Sequence, residues 1–249
     1  MVKLLVLILG LVSFQVSATG ISIVSDLDDT LKITNVSDLS EAVRNALFSK
    51  KAFKGMPDLI QEMSHYSNST YILTASPKVL NSRVTKFLDF NKISYQDLYM
   101  RSLLGQSDKK AYKLAVVREV LTLSDDNLVL IGDDVEIDHE VYTQIRAENP
   151  NRVAAIYIHK VKNKKLPVKV NGFFTAYDIA RMEYQAGRMS LLQALTIGKN
   201  ILLTRDFFEV IPDFSYCPKS DEDFESTRLS ALSLLTNQIN GRIQKFCSK

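Results

Sequence analysis

The chain has 249 residues and a mass of 28.1 kDa, which is enough for one compact domain with a large core and short for two independent domains. Apolar residues make up 46% and charged residues 24%, with 9 Gly and 6 Pro, so a disordered, collagen-like or disulfide-dense protein is excluded. The 31 basic and 28 acidic residues leave a net charge of +3. Basic residues are scattered apart from the short run Lys160, Lys162, Lys164 and Lys165, so no nucleic-acid partner is expected.

The amino terminus has the pattern of a secretory signal. Lys3 supplies the positive start, residues 4–12 supply an apolar stretch, and Val16-Ser17-Ala18 offers small residues suited to cleavage. A buried first helix or an uncleaved anchor is the alternative, although the apolar stretch is short for a membrane span. We expect residues 1–18 to be removed, no transmembrane segment to remain, and the mature chain to be periplasmic or secreted.

Export changes how the two cysteines, Cys217 and Cys247, are interpreted. An oxidising compartment permits them to form a disulfide, and neither has a metal-ligand partner at suitable spacing. Two free thiols remain the alternative. The sequence is therefore compatible with both a disulfide and two free thiols at Cys217 and Cys247.

Residues 19–172 alternate short apolar runs with amphipathic stretches, which is typical of a parallel sheet covered by helices. The predicted strands are residues 21–25, 71–74, 98–100, 127–131 and 153–158. Pro77 is predicted to be the first residue of a helix capped by Ser76, and further helices are expected after Asp108 and before Pro150. After about residue 172, helical patterns dominate at residues 176–187, 191–203 and 226–246, and residues 212–223 are expected to form a loop.

Acidic residues follow two of the predicted strands. The first strand runs into Asp26-Leu27-Asp28-Asp29-Thr30, and the fourth ends in Gly132-Asp133-Asp134, with Asp138 close behind. The carboxyl ends of parallel strands meet at one edge of the sheet, so these carboxylates are expected to crowd together. Each like-charged pair at ~4 Å repels by about 4 kcal/mol at an effective dielectric of roughly 20. The cluster therefore calls for a cation or raised pKa values, and oxygen ligands without His or Cys favour Mg²⁺ over zinc.

Other polar residues at the same edge suit a phosphate group. The second strand ends in Thr74-Ala75-Ser76, whose hydroxyls and following helix could hold a phosphate, and Lys109, Lys110 and Lys113 lie where another helix begins. Carboxylates, a hydroxyl, a lysine and Mg²⁺ together are typical of phosphoryl transfer.

These motifs resemble a known family. Asp26 to Leu31, Thr74 at the end of a strand, a helix-initiating lysine, and the segment from Gly132 to Asp138 are similar to the four ordered motifs of the haloacid dehalogenase superfamily, over about residues 21–160. Within it, the chain most resembles the catalytic domain of the actin-patch-associated phosphatidate phosphatase and its bacterial relatives. The segments that carry this narrower resemblance are residues 26–32, 71–77, Lys113 with its following apolar residues, 138–142 and 174–177.

The resemblance implies a role for each site residue. Asp26 would be the nucleophile and Asp28 the general acid and base, and Asp26, the backbone carbonyl of Asp28, and Asp133 would hold Mg²⁺. Thr74 would bind the phosphoryl group. Lys113, or alternatively Lys110, would neutralise its oxygens. Asp138 would orient the lysine or a water on the ion. Two residues would lie at the periphery of the site. Ser76 could bind phosphate or equally be a helix cap, and Asp134 could lie behind the metal ligands. Asp29 is expected to be a turn residue, and His139 and His159 are expected to be structural or merely exposed.

The resemblance also implies an α/β fold: a three-layer Rossmann-like parallel sheet of about five strands with helices on both faces. The gaps between the motifs have room only for short helices such as residues 40–50 and 57–66, so a minimal cap is expected. The predicted divisions are a signal peptide (1–18), a catalytic domain (19–185) and a helical C-terminal extension packed on the core (186–249).

The expected function is an exported Mg²⁺-dependent phosphatase of a phosphate monoester, with a phospholipid, phosphatidate, as the narrowest substrate hypothesis. The alternatives are a phosphatase of a soluble or protein-borne phosphate ester and a catalytically silent phosphate-binding protein. The presence of both Asp26 and Asp28 weighs against the silent protein. The oligomeric state is not predicted.

Overall fold

A computed structural model of the chain describes residues 20–35, 38, 49–102, 108–218 and 231–249. Its centre is a six-stranded parallel sheet in the order β3-β2-β1-β4-β5-β6. The strands are β1 (Ile21–Asp26), β2 (Ser69–Pro77), β3 (Asp97–Arg101), β4 (Asn127–Asp133), β5 (Val153–His159) and β6 (Asn171–Phe173). β1 therefore lies between β2 and β4, and the chain segments that carry the motifs become neighbours.

Seven α-helices surround the sheet in the described part of the chain. They are α1 (Met56–Met63), α2 (Asn81–Phe90), α3 (Lys109–Leu123), α4 (Asp138–Glu148), α5 (Ala176–Gln185), α6 (Leu191–Leu202) and α7 (Ala231–Cys247). Two single 3₁₀ turns, Lys78–Leu80 and Phe207–Glu209, complete the described elements. No helix in the described part of the chain has the length and apolar character needed to cross a membrane.

The sheet has an apolar core on each face because successive strand residues point to opposite sides. In β1, Ile23 packs into the core with α1, α2 and α5 to α7, whereas its neighbour Val24 packs into the core with α3 and α4. Val129 and Leu130 of β4 divide between the two cores in the same way. The predicted three-layer α/β architecture is confirmed.

The last two helices pack on the core that α1 and α5 form. Buried residues of α6 and α7, including Ile201 and Ile239, belong to that cluster. Gly198 permits the close approach of the helices, since a Cβ atom there would lie 2.7 Å from Tyr177 of α5 and 2.7 Å from Leu235 of α7. Cys217 and Cys247 form a disulfide, which answers the question that the sequence left open.

Some local predictions need correction. Pro77 is the last residue of β2, in extended conformation, and not the first residue of a helix; a 3₁₀ turn follows and α2 begins only at Asn81. A sixth strand, β6, extends the five that were predicted. It has three residues, too few for a periodic pattern to appear.

Other predictions fall on residues that the structure does not describe. The signal sequence, residues 1–18, lies outside the described ranges, as do most of the predicted helix at 40–50, the end of the predicted loop at 212–223 and the start of the predicted helix at 226–246. The division into a catalytic domain and a C-terminal extension at residue 185 stays a prediction. Between β2 and β3 the chain forms only a 3₁₀ turn, α2 and short connections, as a minimal cap requires.

Candidate active site

Three buried carboxylates meet at the carboxyl edge of the sheet. Asp26 ends β1, Asp133 ends the neighbouring strand β4, and Asp138 begins α4. One carboxylate oxygen from each lies within 4.8 Å of the others. The sheet order produces this cluster, since β1 and β4 pair in parallel from Ile21 and Asn127 onward.

Gly132 makes room for the cluster. A Cβ atom at this position would lie 2.6 Å from the carboxylate of Asp138, a distance that packed atoms do not tolerate. The backbone amide of Asp133 donates to the same side chain, with 3.3 Å between Asp133 N and Asp138 Oδ2. The Gly-Asp pair of the motif is therefore needed for α4 to begin so close to the end of β4.

Lys113 brings a positive charge into the cluster. Its Nζ lies 2.7 Å from Asp26 Oδ1 and also contacts Asp138 Oδ1. The Asp108 side chain caps the start of α3, and Lys113 lies one turn further on the buried face. Lys110 is on the exposed side, where its Nζ is 2.8 Å from Glu140 Oε2. Of the two lysines that the sequence allowed, the structure brings Lys113 to the acids and not Lys110.

The electrostatics of the three acids favour a bound cation. Burial raises the pKa of Asp26 well above its usual range; Lys113 opposes the shift, and Asp138 and Asp133 add to it. Burial likewise raises the pKa of Asp133, with Asp138 adding to the effect. Among the described residues, two of these three buried carboxylates form ion pairs with one lysine, so acidic groups outnumber basic ones at the cluster. Because all three offer oxygen ligands, the cluster fits Mg²⁺.

Asp28 lies beside this cluster and accepts hydrogen bonds from three hydroxyl groups. Thr34 Oγ1 donates to Asp28 Oδ1 at 2.9 Å, and Thr74 Oγ1 and Ser76 Oγ donate to Asp28 Oδ2 at 3.0 and 2.8 Å. Asp28 is not among the three clustered carboxylates. Its side chain is instead bound by these hydroxyl groups. Ser76 therefore hydrogen-bonds to Asp28 and does not cap a helix.

Asp134 has a structural contact on each carboxylate oxygen. Oδ1 accepts from the backbone amide of Lys162 at 2.7 Å, and Oδ2 accepts from that of Lys164 at 2.8 Å. Asp134 therefore holds the loop after β5 against the end of β4. Its buried side chain orients this loop, while the neighbouring Asp133 faces the acids.

Asp29 and His159 have structural surroundings. Asp29 adopts a left-handed φ of 57°, and its Oδ1 accepts from the amides of Thr34 and Asn35 at 3.0 and 2.7 Å. His159 is buried between the rings of Phe53 and Phe173, with centroids 4.5 and 4.9 Å away. Burial lowers the pKa of His159, so the imidazole is neutral at physiological pH.

Three further side chains border the site and were not singled out from the sequence. Thr34 contacts Asp28, and Thr30 Oγ1 donates to Asp133 Oδ2 at 3.2 Å. The hydroxyl of Tyr112 is buried with no hydrogen-bond partner among the described residues. The sequence could have indicated these three residues only through their proximity to the predicted site residues. Both threonines follow the acidic motif after β1, and Tyr112 precedes Lys113.

The fold and the site define a domain of the haloacid dehalogenase superfamily. Three features of this superfamily are present. Asp26 and Asp133 lie at the ends of the adjacent strands β1 and β4, the Thr74 hydroxyl lies on β2 at the other side of β1, and Lys113 reaches the acids from α3. The chain belongs to the family of the phosphatidate phosphatase APP1 catalytic domain, whose sequence profile matches residues 21–160. This confirms the resemblance stated from the sequence.

Individual proteins are similar over parts of the chain. The uncharacterized protein C29B5.04c of Schizosaccharomyces pombe is 29% identical over 156 residues, which cover 57% of this chain and 25% of that protein. The chain thus spans about a quarter of the length of this curated relative. Among solved structures, the Pnkp1/Rnl/Hen1 complex matches with a TM-score of 0.42 and 16% identity, covering 62% of this chain and 45% of the other. The class C acid phosphatase from Bacillus anthracis matches with a TM-score of 0.35 and 15% identity, covering 76% and 82%.

Proposed function

We propose that this protein is an exported Mg²⁺-dependent phosphatase that hydrolyses a phosphate monoester through an aspartyl-phosphate, and that its substrate is phosphatidate. The observation that carries the proposal is the position of Asp26, buried at the end of β1 between Lys113 and two further acids. The family is one of phosphatases, and the carboxyl edge of the sheet brings together the carboxylates of Asp26 and Asp28 and the ammonium group of Lys113, as such a reaction requires.

The first step is attack of an Asp26 oxygen on phosphorus. The new O–P bond forms as the bond from phosphorus to the ester oxygen breaks, and Asp28 gives its proton to that leaving oxygen. Lys113 neutralises the charge of Asp26 and of the phosphate oxygens. Asp138 contacts Lys113 and keeps its ammonium group on Asp26.

The second step is hydrolysis of the aspartyl-phosphate. Asp28, now ionised, takes a proton from a water molecule, which attacks phosphorus and releases inorganic phosphate with Asp26 restored. The hydroxyls of Thr34, Thr74 and Ser76 hold the Asp28 carboxylate in place. Thr74 would turn to the phosphoryl group when substrate binds.

Asp26, Asp133 and the backbone carbonyl of Asp28 would hold the Mg²⁺ ion. When bound, the ion would supply positive charge against the phosphate oxygens. The excess of buried negative charge at the three acids supports this assignment.

Separate observations support export of the protein and a phospholipid substrate. The disulfide between Cys217 and Cys247 suits an oxidising compartment and thus export. Between β2 and β3 the described chain adds only short elements, which suits access of an ester at a membrane surface, and the family profile is that of a phosphatidate phosphatase.

The test of the chemistry is hydrolysis of an aryl phosphate with Mg²⁺ and with a chelator. Asp26→Asn and Asp28→Asn should each lower kcat by about 10²–10⁴-fold because they remove the nucleophile and the proton donor. Asp89→Asn, at an exposed position on α2, is the matched control and should keep full activity. Wild-type turnover that persists in chelator, or an active Asp26→Asn variant, would disprove the mechanism.

A second assay addresses the substrate. Phosphatidate in mixed micelles should be hydrolysed with a higher kcat/KM than sugar, nucleotide and phosphopeptide esters. A preference for one of the soluble esters would identify the alternative phosphatase. Binding of phosphate without turnover of any ester would identify a silent binding protein.

A further inference from the structure

The segment that joins β5 to β6 is strongly basic. We call residues 160–170 the lysine loop; its lysines are Lys160, Lys162, Lys164, Lys165 and Lys169, and it contains no acidic residue. The overall charge of the chain is close to balance, so this density of positive charge is local. The catalytic steps above use none of these lysines.

The lysine loop is attached to the active site. It begins directly after β5, at the carboxyl edge of the sheet where Asp26 and Asp133 lie. The two hydrogen bonds from the loop backbone to Asp134 fix it to the residue that follows Asp133. Lys164 Nζ also donates to the carbonyl of Val135 at 3.1 Å. The first part of the loop, through Lys164, therefore lies at the sheet edge that carries the reacting groups. Its second part runs back beside the last turn of α4, where Arg146 donates to the carbonyl of Lys169.

The loop presents an apolar side chain among its charges. Val168 is 89% exposed, and the flanking residues Lys165 and Lys169 are exposed as well. The base of the loop is anchored, because Val161 is fully buried and its carbonyl accepts from the amide of Tyr216 at 2.6 Å. Leu166 and Val170, on either side of the valine, pack against the apolar core that includes α3 and α4, so the exposed valine lies on an anchored segment.

We propose that the lysine loop docks the protein on an anionic membrane surface, with Val168 at the lipid interface and the lysines on the headgroups. Lysines near an anionic leaflet are attracted to it, and an exposed aliphatic side chain is stabilised when it enters the interface. The inference rests on the proposed function for the choice of a phospholipid surface, since a phosphatidate phosphatase acts on an ester held in such a surface.

A membrane fits the loop better than a nucleic acid does. The loop has no aromatic side chain on which a base could stack, and contact with a phosphate backbone would leave Val168 exposed to water. A lipid interface matches both the charges and the apolar tip.

The test is sedimentation of the mature chain, residues 19–249, with vesicles of phosphatidylcholine alone or mixed with phosphatidylserine, since the apolar residues 4–12 of the signal sequence would bind lipid themselves. Wild type should bind the mixed vesicles and not the neutral ones. Lys162→Gln/Lys165→Gln/Lys169→Gln should weaken binding by roughly a hundredfold, because each lysine near the surface contributes about a factor of five. Val168→Ser should weaken it by about fivefold. The variants leave Lys164 in place, since it contacts Val135. Because Lys162 Nζ donates to the carbonyl of Phe214 at 3.3 Å, a second variant, Lys165→Gln/Lys169→Gln, keeps that contact and should weaken binding by roughly twenty-five-fold.

The matched control is Lys86→Gln/Lys199→Gln/Lys245→Gln, which removes the same charge from exposed positions on three helices and should bind like wild type. The proposal is overturned if wild type does not bind the mixed vesicles, if the loop and control variants bind equally, or if a duplex RNA is bound in preference to vesicles. Aryl phosphate hydrolysis should be the same in all variants. Binding without hydrolysis by wild type would refute the proposed function and leave the docking surface intact.

Discussion

Lys113 lies between Asp26 and Asp138 with almost no exposure to solvent. Burial alone would lower its pKa, but the charges of Asp138 and Asp26 outweigh burial and raise the pKa well above its usual value. The ammonium group is therefore charged over the whole physiological range. A charge that is fixed before substrate binds costs no reorganisation during the reaction.

Replacing this lysine should be far more harmful than replacing its neighbour on the same helix. We expect Lys113→Met to lower kcat for an aryl phosphate by about 10²–10³-fold, because the phosphate and Asp26 lose their compensating charge. Lys110→Met removes a partly exposed pair with Glu140 and should change kcat by less than about twofold. Steady-state rates, with circular dichroism to confirm folding, provide the measurement. Equal losses in the two variants would contradict the assignment.

The sequence was informative about residues at strand ends and less so about those that reach the site from irregular chain. Asp26 and Asp133 were identifiable because they follow buried apolar runs, and parallel strands bring such positions together. Thr34 was not, because its contact with Asp28 depends on how the chain turns after β1, where Asp29 takes a left-handed conformation. No periodic pattern encodes that turn.

Several elements are joined by one buried acid, Glu183 of α5. Its carboxylate accepts hydrogen bonds from Tyr66, which follows α1, at 2.7 Å, and from Tyr157 of β5. Arg188 forms a bidentate ion pair with it, with distances of 2.7 and 2.6 Å. A helix, a strand and two connecting segments thus share a single acceptor.

We expect Glu183→Ala to lower the free energy of unfolding by about 3–5 kcal/mol, because the buried hydroxyl of Tyr157, the partly buried hydroxyl of Tyr66 and a partly buried guanidinium lose their acceptor. Tyr66→Phe removes one of these hydrogen bonds and should cost about 1 kcal/mol. Urea denaturation of both variants gives the comparison. If the two midpoints coincide, Glu183 does not join these elements in the way described.

The boundaries of the elements show what tertiary pairing adds to local pattern. A proline after a serine is common at the start of a helix. Pro77 instead ends β2, because it pairs with Arg101 of β3 after a shift in the strand register between Thr74 and Pro77. β6 exists because its three residues pair with the end of β5. The long strands and helices were predictable because their periodic apolar positions specify them locally.

At the scale of the whole molecule, the disulfide fixes the end of the chain. Cys217 lies after the second 3₁₀ turn and Cys247 is the last residue of α7. Their Cα atoms are 5.5 Å apart, and their sequence separation is 30. α7 packs on the same apolar core as α1 and α6, so the covalent link and the packing hold the same helix.

Removing the disulfide should lower stability without changing the chemistry. For Cys217→Ser/Cys247→Ser we expect a loss of about 3–4 kcal/mol in the free energy of unfolding, from the entropy that the crosslink removes from the unfolded chain. The aryl phosphate kcat at a temperature where both proteins are folded should be unchanged. Thermal melting and rate measurements on the same samples would show this. A large drop in kcat would mean that α7 influences the site.

The crosslink also determines how the protein would respond to proteolysis. A single backbone cut anywhere between Cys217 and Cys247 would detach no fragment, because the sulfur bridge still joins both pieces. Such a nicked molecule would migrate as one band on a non-reducing gel and separate into two when thiol is added. In a protease-rich surrounding, the terminal helix would thus keep its place after the chain itself is broken.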